Sequence, residues 1–205
     1  SSAASDVYKR QVQHPDVTPA FIKETHFFDR SYHRGIDWYR TYFATQPANG
    51  DHPARPKLTG EATPIYLFHP DVPKRVSDAL PDVKLIILLR NPVFRAYSHY
   101  QMNVRLGVET RSFEEVVLSE MTEMAHVPAQ GAANNISSRD HQFHFSYLQR
   151  GQYADQVLRW QEYFKPEQFL VIQSENFFQD TQNIMQDVFD SVSYTHLTLP
   201  TNREV

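Results

Sequence analysis

Between residues 84 and 100 the chain changes from one hydrophobic pattern to another. Leu85-Ile86-Ile87-Leu88-Leu89 is a short, continuous apolar run that suits a strand buried on both faces of a parallel sheet. From Asn91-Pro92 the pattern turns helical: Asn91 can cap, and Pro92 falls in the first turn, where a missing N–H breaks no intrahelical bond. The spacing predicts that this helix reaches Arg105 and ends at Gly107. A second run, Gln168-Phe169-Leu170-Val171-Ile172, predicts another buried strand, preceded by a helix carrying Val157, Leu158, Trp160 and Phe164. Strand, helix, strand implies a right-handed parallel crossover.

Other segments are weaker. His14-Pro15-Asp16-Val17 reads as a turn, and Ile36, Trp38, Tyr39, Tyr42 and Phe43 form an aromatic helix face that reads as core rather than a sugar platform. A short helix runs from Val72 to Leu80 with Val72, Val76 and Leu80 on one side. Ser112-Phe113-Glu114-Glu115 is a capping box opening a helix with Phe113, Val116, Val117 and Met121 as its apolar positions. Helical signals resume from His141 to Tyr147, and the last helix carries Ile184, Met185, Val188 and Phe189. Thr45–Pro56 reads as a loop, and the polar stretch Val127–Arg139 as a longer one able to fold over a substrate.

At 205 residues, composition allows one α/β domain with a proper core. A net charge of −4 argues against a nucleic-acid partner, and the lack of cysteine removes disulfides, thiolate zinc sites and cysteine nucleophiles. No run is long enough to span a membrane and no signal-peptide pattern opens the chain; the look of both ends, similar to linker sequence flanking environmental reading frames, and the absent cysteines place a bacterial cytoplasm ahead of a Golgi lumen. Asn135-Ile136-Ser137 is a glycosylation sequon only on a secretory route. Residues 1–11 and 193–205 do not continue the adjoining patterns and are set aside as non-native tails, leaving 12–192 as a partial domain.

Candidate chemistry gathers at two places. A strand running into a helix N-terminus sets Arg90, backbone amides and the helix dipole at a sheet edge, with Ser98 about two turns on, a plausible phosphate clamp. In Lys23-Glu24-Thr25-His26, Glu24 and His26 share a face if the segment is extended, which suits proton transfer. His141 and His144 lack a third ligand and read as surface histidines, so no metal site is expected.

A family resemblance sharpens this. Leu89-Arg90-Asn91-Pro92 through Arg95-Ala96-Tyr97-Ser98-His99-Tyr100 resembles the 3′-phosphate-binding motif of sulfotransferases, in the branch holding heparan sulfate sulfotransferases and bacterial sulfotransferases that use 3′-phosphoadenosine 5′-phosphosulfate (PAPS). The resemblance implies that Arg90 and Ser98 hold the 3′-phosphate of PAPS. Lys23-Glu24-Thr25-His26-Phe27-Phe28-Asp29 is similar to the segment that supplies the general base, which gives Glu24 that role and His26 a supporting one. Gly60-Glu61-Ala62-Thr63-Pro64 resembles an acceptor-cleft segment often reading Glu-Lys-Thr-Pro, implying that Glu61, Thr63 and Pro64 bind acceptor, with Ala62 where the lysine would stand.

The implied fold is α/β, a three-layer parallel sheet of the P-loop nucleotide-binding type, incomplete because the phosphosulfate loop expected before His14 and a C-terminal part are not in the sequence. The implied reaction is sulfuryl transfer from PAPS to a hydroxyl or amine, chiefly on a carbohydrate, without a metal, a nucleic-acid partner or a membrane segment; the fragment itself is expected to be inactive. Two alternatives stay open: a noncatalytic carbohydrate-binding relative, suggested by Ala62, and a P-loop kinase-like nucleotide-binding enzyme.

Overall fold

The computed structural model describes residues 3–43, 58–126 and 145–192. The predicted loops at 45–56 and 127–139, the sequon at Asn135, His141, His144 and the 193–205 tail lie outside these residues. The elements are α1 (Ala3–Gln11), β1 (Val17–Pro19), a π-helical turn (Phe27–Ser31), α2 (Ile36–Arg40), β2 (Leu58–Gly60), α3 (Val72–Ala79), β3 (Leu85–Leu89) and α4 (Pro92–Arg105). They continue with α5 (Phe113–His126), α6 (Tyr153–Gln161), β4 (Phe169–Gln173), α7 (Ser174–Gln179) and α8 (Thr181–Ser191). Short 3₁₀ turns span Tyr32–Arg34, Pro64–Leu67, Gln149–Gly151 and Pro166–Gln168. The chain divides into two compact units, Ser1–Leu89 with Arg159–Val205, and Arg90–Leu158.

In the first unit, β3 and β4 pair in parallel from Leu85↔Phe169 to Leu89↔Gln173, as the two apolar runs predict. Alternation along β3 feeds two cores. Leu85 joins an aromatic cluster of Phe27, Phe28, Tyr39, Trp160 and Phe164, while Ile86 and Leu88 face Ile172, Phe177, Met185, Val188 and Phe189. Burial is less complete than an internal strand demands: Ile87 alone is buried, because among the described residues β3 pairs with β4 only. The aromatic face of α2 is core, with Tyr39 stacked on Phe27 at 4.7 Å between centroids. Each such buried ring contributes roughly 1.5–3 kcal/mol relative to exposure. A second parallel pair, Val17↔Leu58 to Pro19↔Gly60, has three-residue strands that carry no periodic signal. Residues 3–11, set aside in the sequence reading, form α1, whose Val7 is buried in the cluster around Phe189.

In the second unit, Asn91 caps α4 by accepting from the Val93 and Phe94 N–H groups at 3.0 and 3.3 Å. The capping box of α5 forms: Ser112 N–H donates to Glu115 at 2.7 Å and Glu115 N–H to Ser112 Oγ at 3.2 Å. Ala96, Val116 and Tyr147 are its core. The predicted inward position Met121 is exposed, and Glu120 is buried instead, because three backbone N–H groups satisfy its carboxylate. No helix among the described residues is long and apolar enough to cross a membrane.

Candidate active site

Glu24, Thr25 and His26 connect β1 to the π-helical turn. Thr25 is buried while Glu24 and His26 turn outward, the alternation the sequence predicts, but the segment is not an extended strand. His26 sits at φ 49°, ψ 32°, in the left-handed region, and it is the one non-glycine residue there among those described. That conformation costs roughly 1–2 kcal/mol and persists only where surrounding contacts impose it. The result is a chain of three side chains. His26 Nδ1 lies 2.8 Å from Asp29 Oδ2, and its Nε2 lies 3.7 Å from Glu24 Oε2. A carboxylate only accepts, so Nδ1 carries the proton shared with Asp29 and Nε2 is aimed at Glu24.

Asp29 is the member the sequence reading passed over, although its i, i+3 spacing from His26 was a signal. Its side chain is 4% exposed, and its Oδ1 is buried without a hydrogen-bond partner among the described residues. Arg75 on α3 supports it from below, donating to the carbonyls of Phe28 at 2.6 Å and Asp29 at 3.4 Å and to Asp71 Oδ2 at 3.2 Å. Lys23 Nζ lies 3.4 Å from Glu24 Oε1 in a half-exposed pair worth little in stability. Glu24 itself accepts no backbone N–H among the described residues, which leaves lone pairs for a proton from outside.

Glu61 is brought next to this segment but faces away from solvent chemistry. Its Oε2 accepts from Thr25 N–H at 3.2 Å, Thr25 Oγ1 at 2.7 Å and Thr63 Oγ1 at 2.7 Å; its Oε1 accepts from the hydroxyls of Tyr39 and Tyr66, each at 3.1 Å. Burial first, and then the Glu61 charge, push both phenols well above their usual range, so they stay donors. Thr63 is buried, whereas Pro64 is exposed at the start of its 3₁₀ turn. Ala62 contributes a backbone N–H to the Lys23 carbonyl at 3.3 Å.

Arg90 and Ser98 belong to the second unit, Arg90 just before the Asn91 cap and Ser98 on α4; both are exposed. Neither side chain takes a hydrogen-bond partner among the described residues. Behind them, burial holds the Arg95 and Arg150 guanidiniums below their usual range, Arg150 at about 10 with Arg95 as a second cause. Arg95 donates to the carbonyls of Ser146 and Tyr147 at 3.3 and 2.9 Å. The backbone at Gly151 lies so close to α4 that an added Cβ would meet Pro92 Cβ at 2.9 Å. Among the described residues no group of three His, Asp or Glu side chains is arranged to hold a metal ion.

Comparison with known proteins follows this geometry. The family model "Sulfotransferase domain" matches residues 7–195. Heparan sulfate glucosamine 3-O-sulfotransferase 3B1 of Mus musculus is 31% identical over 177 residues, covering 86% of this chain and 40% of that protein. Bifunctional heparan sulfate N-deacetylase/N-sulfotransferase 3 of Homo sapiens is 30% identical over 188 residues, covering 89% and 20%. The chain therefore spans less than half the length of these curated relatives. A crystal structure of a sulfotransferase from Alicyclobacillus acidocaldarius superposes with a TM-score of 0.72 at 30% identity, covering 95% of this chain and 78% of that one.

Proposed function

This chain belongs to the sulfotransferase domain family, and on that premise we propose that it transfers a sulfuryl group from PAPS to a hydroxyl or amine of a carbohydrate. The observation that carries the reading is the Glu24–His26–Asp29 chain, with His26 Nε2 at 3.7 Å from Glu24 and Nδ1 at 2.8 Å from Asp29. An acceptor oxygen that attacks sulfur must shed its proton, and Glu24, half-exposed and uncommitted to the backbone, takes it as general base. Asp29 fixes the His26 ring, so that the Nε2 lone pair stands 3.7 Å from that carboxylate and can take the proton onward once Glu24 holds it.

Arg90 and Ser98 are assigned the 3′-phosphate of PAPS. A guanidinium fork and a hydroxyl match phosphate oxygens, and the N-terminus of α4 adds partial positive charge. Both side chains are exposed and unengaged, as a phosphate site requires. PAPS, when bound, supplies the sulfuryl group and a phosphate leaving group. The carbohydrate acceptor is drawn from relatives named for heparan sulfate.

The test is transfer of ³⁵S from labelled PAPS to a panel of hydroxyl- and amino-bearing carbohydrates, by the full-length protein and by its Glu24→Gln variant. Loss of a general base predicts a fall of about 10²–10⁴-fold in kcat. Ala62 favours one other reading, noncatalytic carbohydrate binding: glycan binding with no label transferred would support it and end the catalytic one. Phosphate transfer from ATP under the same conditions would instead point to a kinase-like enzyme.

A further inference from the structure

Glu61 was expected to touch acceptor; the geometry gives it different work. We infer that Glu61 is a positioning residue whose carboxylate, with Tyr66 as its relay, holds the Thr25–Phe28 backbone in the turn that brings His26 to Glu24. The inference rests on the reading of Glu24 and His26 as the reacting pair.

The left-handed backbone at His26 is clamped on both sides. Before it, Glu61 Oε2 takes both the N–H and the hydroxyl of Thr25, at 3.2 and 2.7 Å. After it, the Tyr66 hydroxyl accepts from the N–H groups of Phe27 and Phe28 at 2.9 and 3.2 Å. Tyr66 is itself held, because its own proton goes to Glu61 Oε1 at 3.1 Å. One carboxylate thus governs the residue before His26 directly and the two after it through a single phenol.

The count of donors closes the alternative. Five hydrogens converge on Glu61, from Thr25 N–H, Thr25 Oγ1, Thr63 Oγ1, Tyr39 OH and Tyr66 OH, and a carboxylate offers about four lone-pair sites. No capacity remains for an acceptor hydroxyl. Thr63, the second residue assigned to acceptor, spends its hydroxyl on the same carboxylate. Glutamine at position 61 is nearly isosteric, but its NH₂ cannot accept, so one side of the clamp opens whichever way the amide turns. Phenylalanine at position 66 removes the acceptor for two backbone N–H groups, together with the phenol's own bond to Glu61 and its contact with Thr25 Oγ1 at 3.1 Å, and leaves the ring in place.

The experiment measures ring and rate together in the full-length protein. Imidazole ¹⁵N resonances of His26, identified by their loss in His26→Gln, report which nitrogen carries the proton; kcat and acceptor KM are read with labelled PAPS. Glu61→Gln and Tyr66→Phe are expected to move the His26 resonances from a single Nδ1–H form to a mixture. They should lower kcat about tenfold or more, as misplacement of a reacting group does, with acceptor KM within about twofold. Thr25→Val should show the same effect, and Thr25→Ser, which keeps the hydroxyl, should restore both readouts; this pair decides the matter if Glu61→Gln does not fold. A raised acceptor KM at unchanged kcat would overturn the inference by making Glu61 a binding residue. So would His26 resonances that stay fixed in folded Tyr66→Phe and Thr25→Val. Resonances that move in a protein without sulfuryl transfer would leave the positioning role standing and remove the proposed reaction.

Discussion

Glu120→Ala should nearly unfold the unit that carries Arg90 and Ser98. The carboxylate lies on the buried side of α5 and accepts three successive backbone N–H groups, those of Tyr147 and Leu148 on Oε2 at 2.8 Å each and that of Gln149 on Oε1 at 2.9 Å. A hydrogen bond to a charged group contributes roughly 1.5–3 kcal/mol, and a buried donor left unpaired costs a similar amount. The three bonds share one acceptor and do not add in full, so the loss is about 4–6 kcal/mol. Against a total of about 5–15 kcal/mol for a domain, that is from about a third to all of the reserve. Glu120 also faces the buried Arg95 and Arg150, each favoured in its charged form by this carboxylate. Urea unfolding followed by circular dichroism gives the overall loss, and amide exchange at residues 147–149 localises it. The charge argument has its own arm. Once Glu120 is gone, Arg150→Met should destabilise less than it does in the wild-type background, by about 1 kcal/mol or more, as a double-mutant cycle reads it. A loss under about 1 kcal/mol with protected amides at 147–149 would refute the reasoning.

Three more outcomes are expected. Gly151→Ala places a methyl 2.9 Å from Pro92 Cβ, which sits on a rigid ring; overpacking of this kind costs about 1–3 kcal/mol, and a melting curve unchanged from wild type would contradict it. Glu109 is held down to about 2 from 4.5, first by its side-chain bond to Arg111, so its stabilisation is full above pH 4.5 and drains away as pH falls toward 2. A shift of that size is worth roughly 3 kcal/mol, and with Arg111 42% exposed, screening cuts this to about 1–2 kcal/mol; Glu109→Gln should flatten that acid limb of the stability curve. In the full-length protein Arg90→Ala should weaken PAPS binding more than about tenfold by calorimetry, through loss of a charge-assisted contact, and unchanged affinity would remove Arg90 from the donor site.

What could be read in the sequence was whatever has its partner close along the chain. Asn91 bonds two and three residues ahead, and Ser112 and Glu115 close on each other; His26 and Asp29, also within one turn, carried the same kind of signal but were not paired. The parallel pairing of β3 and β4 was legible for another reason, since two apolar runs of similar length, separated by helices, have few other ways to bury themselves. The short pair β1–β2 was not, because three residues cannot show a period. Nor was Glu120. Periodicity assigns inward positions to apolar residues, and it put Met121 there, blind to a carboxylate whose donors arrive from 27 residues away.

The same blindness explains Glu61, and it supplies a rule for reading carboxylates in this fold. Glu61, Glu109 and Glu120 each collect donors from distant residues, across separations of 36, 38 and 27 positions; Glu61 and Glu120 fix the turns those donors belong to, and Glu109 fixes its own through the Thr110 and Arg111 N–H groups. By residue type they cannot be told from Glu24. What separates them is occupancy. A carboxylate whose lone pairs are filled by fixed N–H and O–H groups has no acceptor capacity to offer an incoming proton. Among the described residues Glu24 meets only the Lys23 and His26 side chains, at 3.4 and 3.7 Å, both half-exposed and neither in tight contact. These three engaged carboxylates hold the backbone rigid, and one of them, Glu61, holds it around a carboxylate that no backbone N–H engages among the described residues. A general base needs both conditions at once, free capacity on the reacting group and none on the group that aims it.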